Sequence, residues 1–156
     1  MKHLLPLFLL LACTPFLPAQ PIELPLNLEN AQVARLVIGT HPEATDGLDR
    51  KLDIYVPPFG MGTGTAGILL PVKSADMLYQ DLRSTTLPQT WSVRCVPAAR
   101  PIVLTWSPKA IPAGVSVLLR RQNGSLLDMR KVSLLRISAA ETISITVSRP
   151  AAKPSN

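Results

Sequence analysis

The chain has 156 residues, 47% hydrophobic but only 4% aromatic, with 16 prolines and a formal net charge of +6. Prolines scattered through the chain truncate long helices and exclude a helical bundle, and the length fits one domain able to bury its own core. The charge is uneven: Gln20 to Leu82 carries eight acids and four bases, and Arg83 to Asn156 carries eleven bases and two acids.

Met1 to Ala19 has the order of a secretory signal peptide. Lys2 and His3 form a basic start, Leu4 to Ala12 is uncharged, Pro15 and Pro18 break the run, and Ala19 is a small residue for cleavage. The apolar run is too short to span a membrane, which takes roughly 20 residues. Cleavage after Ala19 frees a chain starting at Gln20. The alternative is a lipobox at Leu10-Leu11-Ala12-Cys13, with Cys13 lipidated as a membrane anchor. The segment after Cys13 is apolar and Pro-rich rather than a polar tether, which favours soluble export to the periplasm, cell surface or medium. Either route leaves Cys95 as the one thiol able to act in the folded domain, so no internal disulfide can form.

Residues 20–32 read as a Pro- and Leu-rich leader lying across the domain, 33–149 as the domain itself, and 150–156 as a frayed tail. Within the domain, Val33 to Gly39 is the first expected strand, and Thr40 to Arg50 a loop rich in turn residues. Leu52 to Val56 is short and extended and stops at Pro57-Pro58. Phe59 to Gly67 is glycine-rich, Ile68 to Val72 begins another strand, and Ser74 to Ser84 is ambiguous between strand and helical turn. Five strand-length segments follow: Trp91 to Val96, Ile102 to Trp106, Val115 to Arg121, Leu126 to Val132 and Thr142 to Ser148. The last shows period-two alternation, with Ile143, Ile145 and Val147 on one face and Thr142, Ser144 and Thr146 on the other. Val117, Val93 and Cys95 join the apolar face. Asn123-Gly124 predicts a tight hairpin with positive φ at both residues. Short strands with turn signals at this spacing predict an immunoglobulin-like antiparallel β-sandwich of seven to eight strands.

Sites are sparse. Asp46, Asp49 and Asp53 are closely spaced on a turning loop, the arrangement by which loops supply oxygen to calcium. Arg50 and Lys51 inside the cluster oppose a cation, and the favoured role for the three aspartates is to hold the loop's turns. His41 is the one histidine outside the signal segment, so a serine triad or a histidine-based zinc site would have to use it; in a loop before Pro42, with no cysteine pair and no H-E-x-x-H, it reads as a surface histidine. Cys95 reads as a small buried hydrophobe. Trp91 and Trp106 read as core, with a sugar-stacking platform as the alternative. Asp81-x-Arg83 and Asp128-x-Arg130 each put opposite charges on one strand face, so paired strands would carry a charge ladder. The bases are spread over several strands without interleaved aromatics, so nucleic acid is not an expected partner.

One ordered set of segments is familiar: Ala44-Thr-Asp-Gly-Leu-Asp49, Leu52-Asp53, Pro57-Pro58, Asp81-Leu-Arg-Ser84, Trp91, Leu104-Thr-Trp-Ser107 and Leu127-Asp-Met-Arg130. The order resembles an accessory β-sandwich module of exported proteins from Bacteroidota-type bacteria, often found upstream of a type IX secretion sorting domain. The resemblance spans roughly Arg35 to Val147 and implies an accessory β-sandwich without an assigned enzymatic activity; no cofactor is expected from the residues. The sequence thus predicts an exported, non-catalytic structural or binding module whose partner is an unidentified protein or glycan. A small carbohydrate- or calcium-binding module is the alternative, and a hydrolase ranks below both.

Overall fold

The computed structural model describes residues 20–56, 63–70 and 76–150. The signal segment with Cys13, Pro57-Pro58, residues 59–62 of the glycine-rich stretch, residues 71–75 and the tail beyond Pro150 lie outside the described residues. Eleven strands appear in chain order: β1 (Ile22–Glu29), β2 (Arg35–Thr40), β3 (Ile54–Tyr55), β4 (Thr65–Leu69), β5 (Met77–Arg83), β6 (Gln89–Val96), β7 (Ile102–Thr105), β8 (Ser116–Arg120), β9 (Leu126–Asp128), β10 (Leu134–Ile137) and β11 (Glu141–Ser148). The one helical element among the described residues is a 3-10 turn at Pro108–Ala110, and no helix there is long and apolar enough to cross a membrane.

The protein is all-β, but the arrangement differs from the expected sandwich. All the strands belong to one sheet, ordered β10-β7-β1-β2-β5-β4-β6-β11-β8-β9, with β3 paired to β5. The sheet is also mixed, because β2 and β5 run parallel. It curls into a half-barrel around a single core. One set of alternating side chains lines the inside: Leu24 and Leu26 of β1, Ile38 of β2, Ile68 of β4, Trp91 and Val93 of β6, Leu104 of β7, Leu119 of β8, and Ile143 and Ile145 of β11.

The expected leader is a central strand. Ile22, Leu24, Leu26 and Leu28 are buried, and Glu23, Asn27 and Glu29 between them are exposed. Pro21 and Pro25 mask this period in the sequence. A mid-sheet proline is tolerated because Pro25 faces only β2: the ladder to β7 begins at Asn27, so the missing N–H breaks no bond on that side. The ambiguous Ser74–Ser84 stretch contains β5. Leu134–Ile137, with no predicted strand, is β10, whose Leu135 and Ile137 are buried. Gly39 does not end β2 but permits a close approach, since a Cβ there would lie 2.0 Å from the Ile22 carbonyl oxygen.

The Asn123-Gly124 hairpin forms and pairs β8 with β9 antiparallel. Only Gly124 has positive φ, at 87°. Gly124 N–H donates to the Arg121 carbonyl (3.0 Å) and Arg121 N–H to the Ser125 carbonyl (2.8 Å). This is the three-residue loop in which a turn is followed by a left-handed glycine, not the two-residue form.

Ile143, Ile145, Val117, Val93 and Cys95 are all buried as the alternation predicts. Thr142, Ser144 and Thr146 are half-buried rather than exposed, because β11 is flanked on both sides by β6 and β8. Ile145→Ala should therefore destabilise the fold by about 2–5 kcal/mol. Thr146→Ala, which loses a 2.9 Å bond between hydroxyls of Thr146 and Thr90, should cost about 1 kcal/mol. Chemical denaturation of the two variants measures the difference.

Candidate functional site

Several residues singled out by the sequence, His41, the loop aspartates, Asp81 and Arg83, gather around the parallel junction of β2 and β5. The loop from His41 to Asp53 folds over the outer face of that pair, where Ala44 packs on Val37 and Leu82, with Leu52 beside them. His41 N–H donates to the Arg83 carbonyl at 2.8 Å, which starts the loop on the end of β5. The His41 Nδ1 accepts from Glu43 N–H at 3.2 Å, so the imidazole serves a turn.

Each aspartate of the loop accepts hydrogen bonds from the chain. Asp49 Oδ2 takes the Thr45 N–H (2.6 Å) and hydroxyl (3.0 Å). Asp53 Oδ2 takes the Asp49 N–H (2.6 Å), and its Oδ1 takes the Leu82 N–H of β5 (3.0 Å). Asp46 Oδ1 reaches further, to Gln89 Nε2 (2.8 Å) and Ser84 N–H (3.3 Å), tying the loop to the β5–β6 connection. No group of three or more His, Cys, Asp or Glu able to hold a metal ion occurs among the described residues. The three carboxylates lie in one loop but do not point at one place.

Burial pushes the Asp53 carboxyl above the usual carboxylate range, against the hydrogen bonds from Asp49 and Leu82. Asp46 is exposed, and hydrogen bonding by Ser84 holds its carboxyl below that range. The signs oppose. Asp53 contributes stability that is present below its unfolded value and lost as pH rises through its raised folded value. Asp46 contributes stability that is present above its unfolded value and lost as pH falls through its lowered one.

Beneath the junction lies an ion pair whose geometry the sequence did not disclose. Asp81 stands opposite Ile38 in the β2–β5 register and therefore on the core face. Arg83 Nη2 lies 2.9 Å from Asp81 Oδ2, and the two side chains are 10% and 3% exposed. Arg83 Nη1 donates to the Thr90 carbonyl at 2.6 Å, and the guanidinium sits 5.2 Å from the centre of the Trp91 ring. Burial raises the Asp81 carboxyl, and the Arg83 hydrogen bonds pull in the other direction. The Trp91 ring offers its negative face to a desolvated cation, while its buried Nε1 has no hydrogen-bond partner among the described residues.

The remaining candidates are also built into the fold. Trp106 is buried, and its Nε1 donates to the Met129 carbonyl at 2.9 Å. Neither tryptophan offers the exposed ring that sugar stacking requires. Cys95 is fully buried, and loss of water pushes its thiol up to about 12. The condition for a ladder between Asp81-x-Arg83 and Asp128-x-Arg130 is not met, because β5 and β9 are not neighbours. Asp128 Oδ1 instead accepts from Arg130 N–H at 3.0 Å, and its other oxygen lies 3.7 Å from Lys131. Arg130 spreads its guanidinium over the carbonyls of Ile111, Pro112 and Val115.

Open concavities lie at the ends of the curl. A cavity of ≈ 330 Å³ is lined by Ile22, Thr40, Leu87, Val115 and Arg149 among others. Another, of ≈ 470 Å³, lies between the β8–β9 turn and the β10–β11 turn, beside Arg121, Arg136 and Glu141. Compared with protein-family models, curated proteins and solved structures, the chain matches none.

Two outcomes are expected. Asp81→Asn or Arg83→Met alone should destabilise by about 3–5 kcal/mol, since each leaves a buried charge or its partner uncompensated, whereas the double variant Asp81→Leu/Arg83→Met should cost far less. A double-mutant cycle from urea titrations tests this. Calcium added against chelator should leave the melting temperature unchanged. A bound ion would stabilise by about 2.7 kcal/mol at a hundredfold excess over its dissociation constant.

Proposed function

We propose that this chain is exported and serves as a non-catalytic β-module with a structural or binding role at the cell envelope or outside the cell. One observation carries the reading. The polar and aromatic residues that mark the sequence motifs are engaged in holding the fold. Asp46, Asp49 and Asp53 secure the outer loop. Asp81 and Arg83 form a buried pair over Trp91, Trp106 binds the Met129 carbonyl, and Asp128 and Arg130 organise the turn after β9. Motifs with these roles specify an architecture, as expected of an accessory module like those of exported Bacteroidota-type proteins. The signal-like Met1–Ala19 segment supports export.

Mass spectrometry of the protein isolated from its native cells tests the proposal. A mature N-terminus at Gln20 in the periplasm or medium is expected. A chain retaining Met1 in the cytoplasm overturns export, and a diacylglyceryl group on Cys13 overturns the soluble route.

A further inference from the structure

The sheet does not close. Its path begins at β10 and ends at β9, so among the described residues each of these strands has a neighbour on one side only, although only residues 129–133 separate them. At that connection the two edges are drawn together. Met129 N–H donates to the Val117 carbonyl (3.0 Å), Trp106 N–H to the Ser133 carbonyl (3.1 Å), and Trp106 Nε1 to the Met129 carbonyl (2.9 Å). At the other end no ladder joins β9 to β10, and the ≈ 470 Å³ cleft beside Arg121 and Arg136 occupies that end.

We propose that this seam is a docking site for an extended, acidic segment of a partner protein, added as a strand against β10. An antiparallel strand turns half of its N–H and C=O groups to each side, and β10 uses only the half that faces β7. The side chains bordering the seam suit a strand of alternating apolar and acidic residues. On the inner face Leu127 and Leu135 flank it, opposite Leu119 and Leu104 of the core. On the outer face stand Leu126 and Leu134, each 51% exposed, one on either edge. Apolar side chains exposed on two unpaired edges are a template for strand addition.

The charge of the seam selects the partner. Arg120 and Arg136 are exposed around it, and Arg136 has no hydrogen-bond or ion-pair partner among the described residues. The nearby acids are already engaged, Glu141 by Arg121 and Asp128 by Lys131. A second copy of this chain would bring arginine against arginine, and like charges opposed across strands are unfavourable. An acidic strand meets no such conflict. The proposal rests on the binding form of the module reading and names the partner's chemistry.

The test uses the mature protein and a fluorescent peptide of alternating valine and glutamate. Saturable binding is expected, with slowed amide exchange in β10. Arg136→Glu should weaken binding by about tenfold or more, while Arg149→Glu, at the opposite mouth, should leave it unchanged. Methylating alternate backbone nitrogens of the peptide should abolish binding, because strand addition needs those N–H groups. The seam is overturned by absence of binding, by equal binding of the methylated peptide or a valine–lysine peptide, or by protection outside β9 and β10. It is equally overturned if the protein dimerises through this edge, or if a sulfated polysaccharide is bound there in place of the peptide. Export and module character are read independently from the mature N-terminus, so either conclusion can fail without the other.

Discussion

A single sheet with one apolar face, and no helix or second sheet among the described residues to cover it, can bury that face only by curling around it. The rest of the structure follows from this constraint. The inward residues of nine strands meet in one cluster, from Ile22 and Leu24 in β1 to Ile145 and Val147 in β11. No disulfide is available to support the closure, because Cys95 is a free thiol inside that cluster. The cohesion comes from burial, at about 25 cal/mol per Å² of apolar surface, and from the ladders that keep each side chain in register.

The parallel β2–β5 pair is where the curl meets a problem of polarity. β3 and β4 intervene in the chain between these two strands, so their loops must be held against the sheet. The acidic loop does this on the outside, where Asp53 accepts the Leu82 N–H and Gln80 Nε2 binds the Leu52 carbonyl at 2.7 Å. On the inside, Asp81 and Arg83 are carried into the core by the same strand. The pair survives there because each charge has a specific partner and the guanidinium lies over an aromatic face. Buried ion pairs are seldom a net source of stability compared with apolar side chains of similar size. Their geometric demands are strict, and here they tie the end of β5 to Thr90 and Trp91 of β6.

Incomplete closure separates this sheet from a barrel. A closed barrel leaves no strand edge, whereas β9 and β10 remain as short edges on a seam that is tight at Met129–Ser133 and open at Arg121 and Arg136. Short edges and flanking bases are features that limit unwanted pairing between copies. The same bases are the ground on which an acidic chain is proposed as the seam's partner. Among the described residues the structure thus combines a packed interior, in which the motif residues are occupied, with strand edges paired on one side, at β9 and β10 and at the short β3.

Local sequence determined those properties that depend on neighbours along the chain. Period-two alternation identified β11 and the buried set Ile143, Ile145, Val93, Cys95 and Val117, and the Asn123-Gly124 turn located the β8–β9 hairpin. Asp49 on Thr45 and Asp53 on the Asp49 N–H follow the local turn bonding that the loop sequence suggests, whereas the bonds of Asp46 to Ser84 and Gln89 and of Asp53 to Leu82 join segments far apart in the chain. Other features were hidden for physical reasons. The prolines at 21 and 25 obscured β1, since whether a strand tolerates a proline depends on which side is laddered, and only the sheet decides that. Whether Asp81-x-Arg83 and Asp128-x-Arg130 share a charge ladder was open in the sequence, because strand adjacency is a long-range property, and β5 and β9 are not neighbours. The stacking of Arg83 on Trp91, the parallel β2–β5 pairing and the open seam depend on contacts between segments far apart in sequence, and tertiary structure alone decided them.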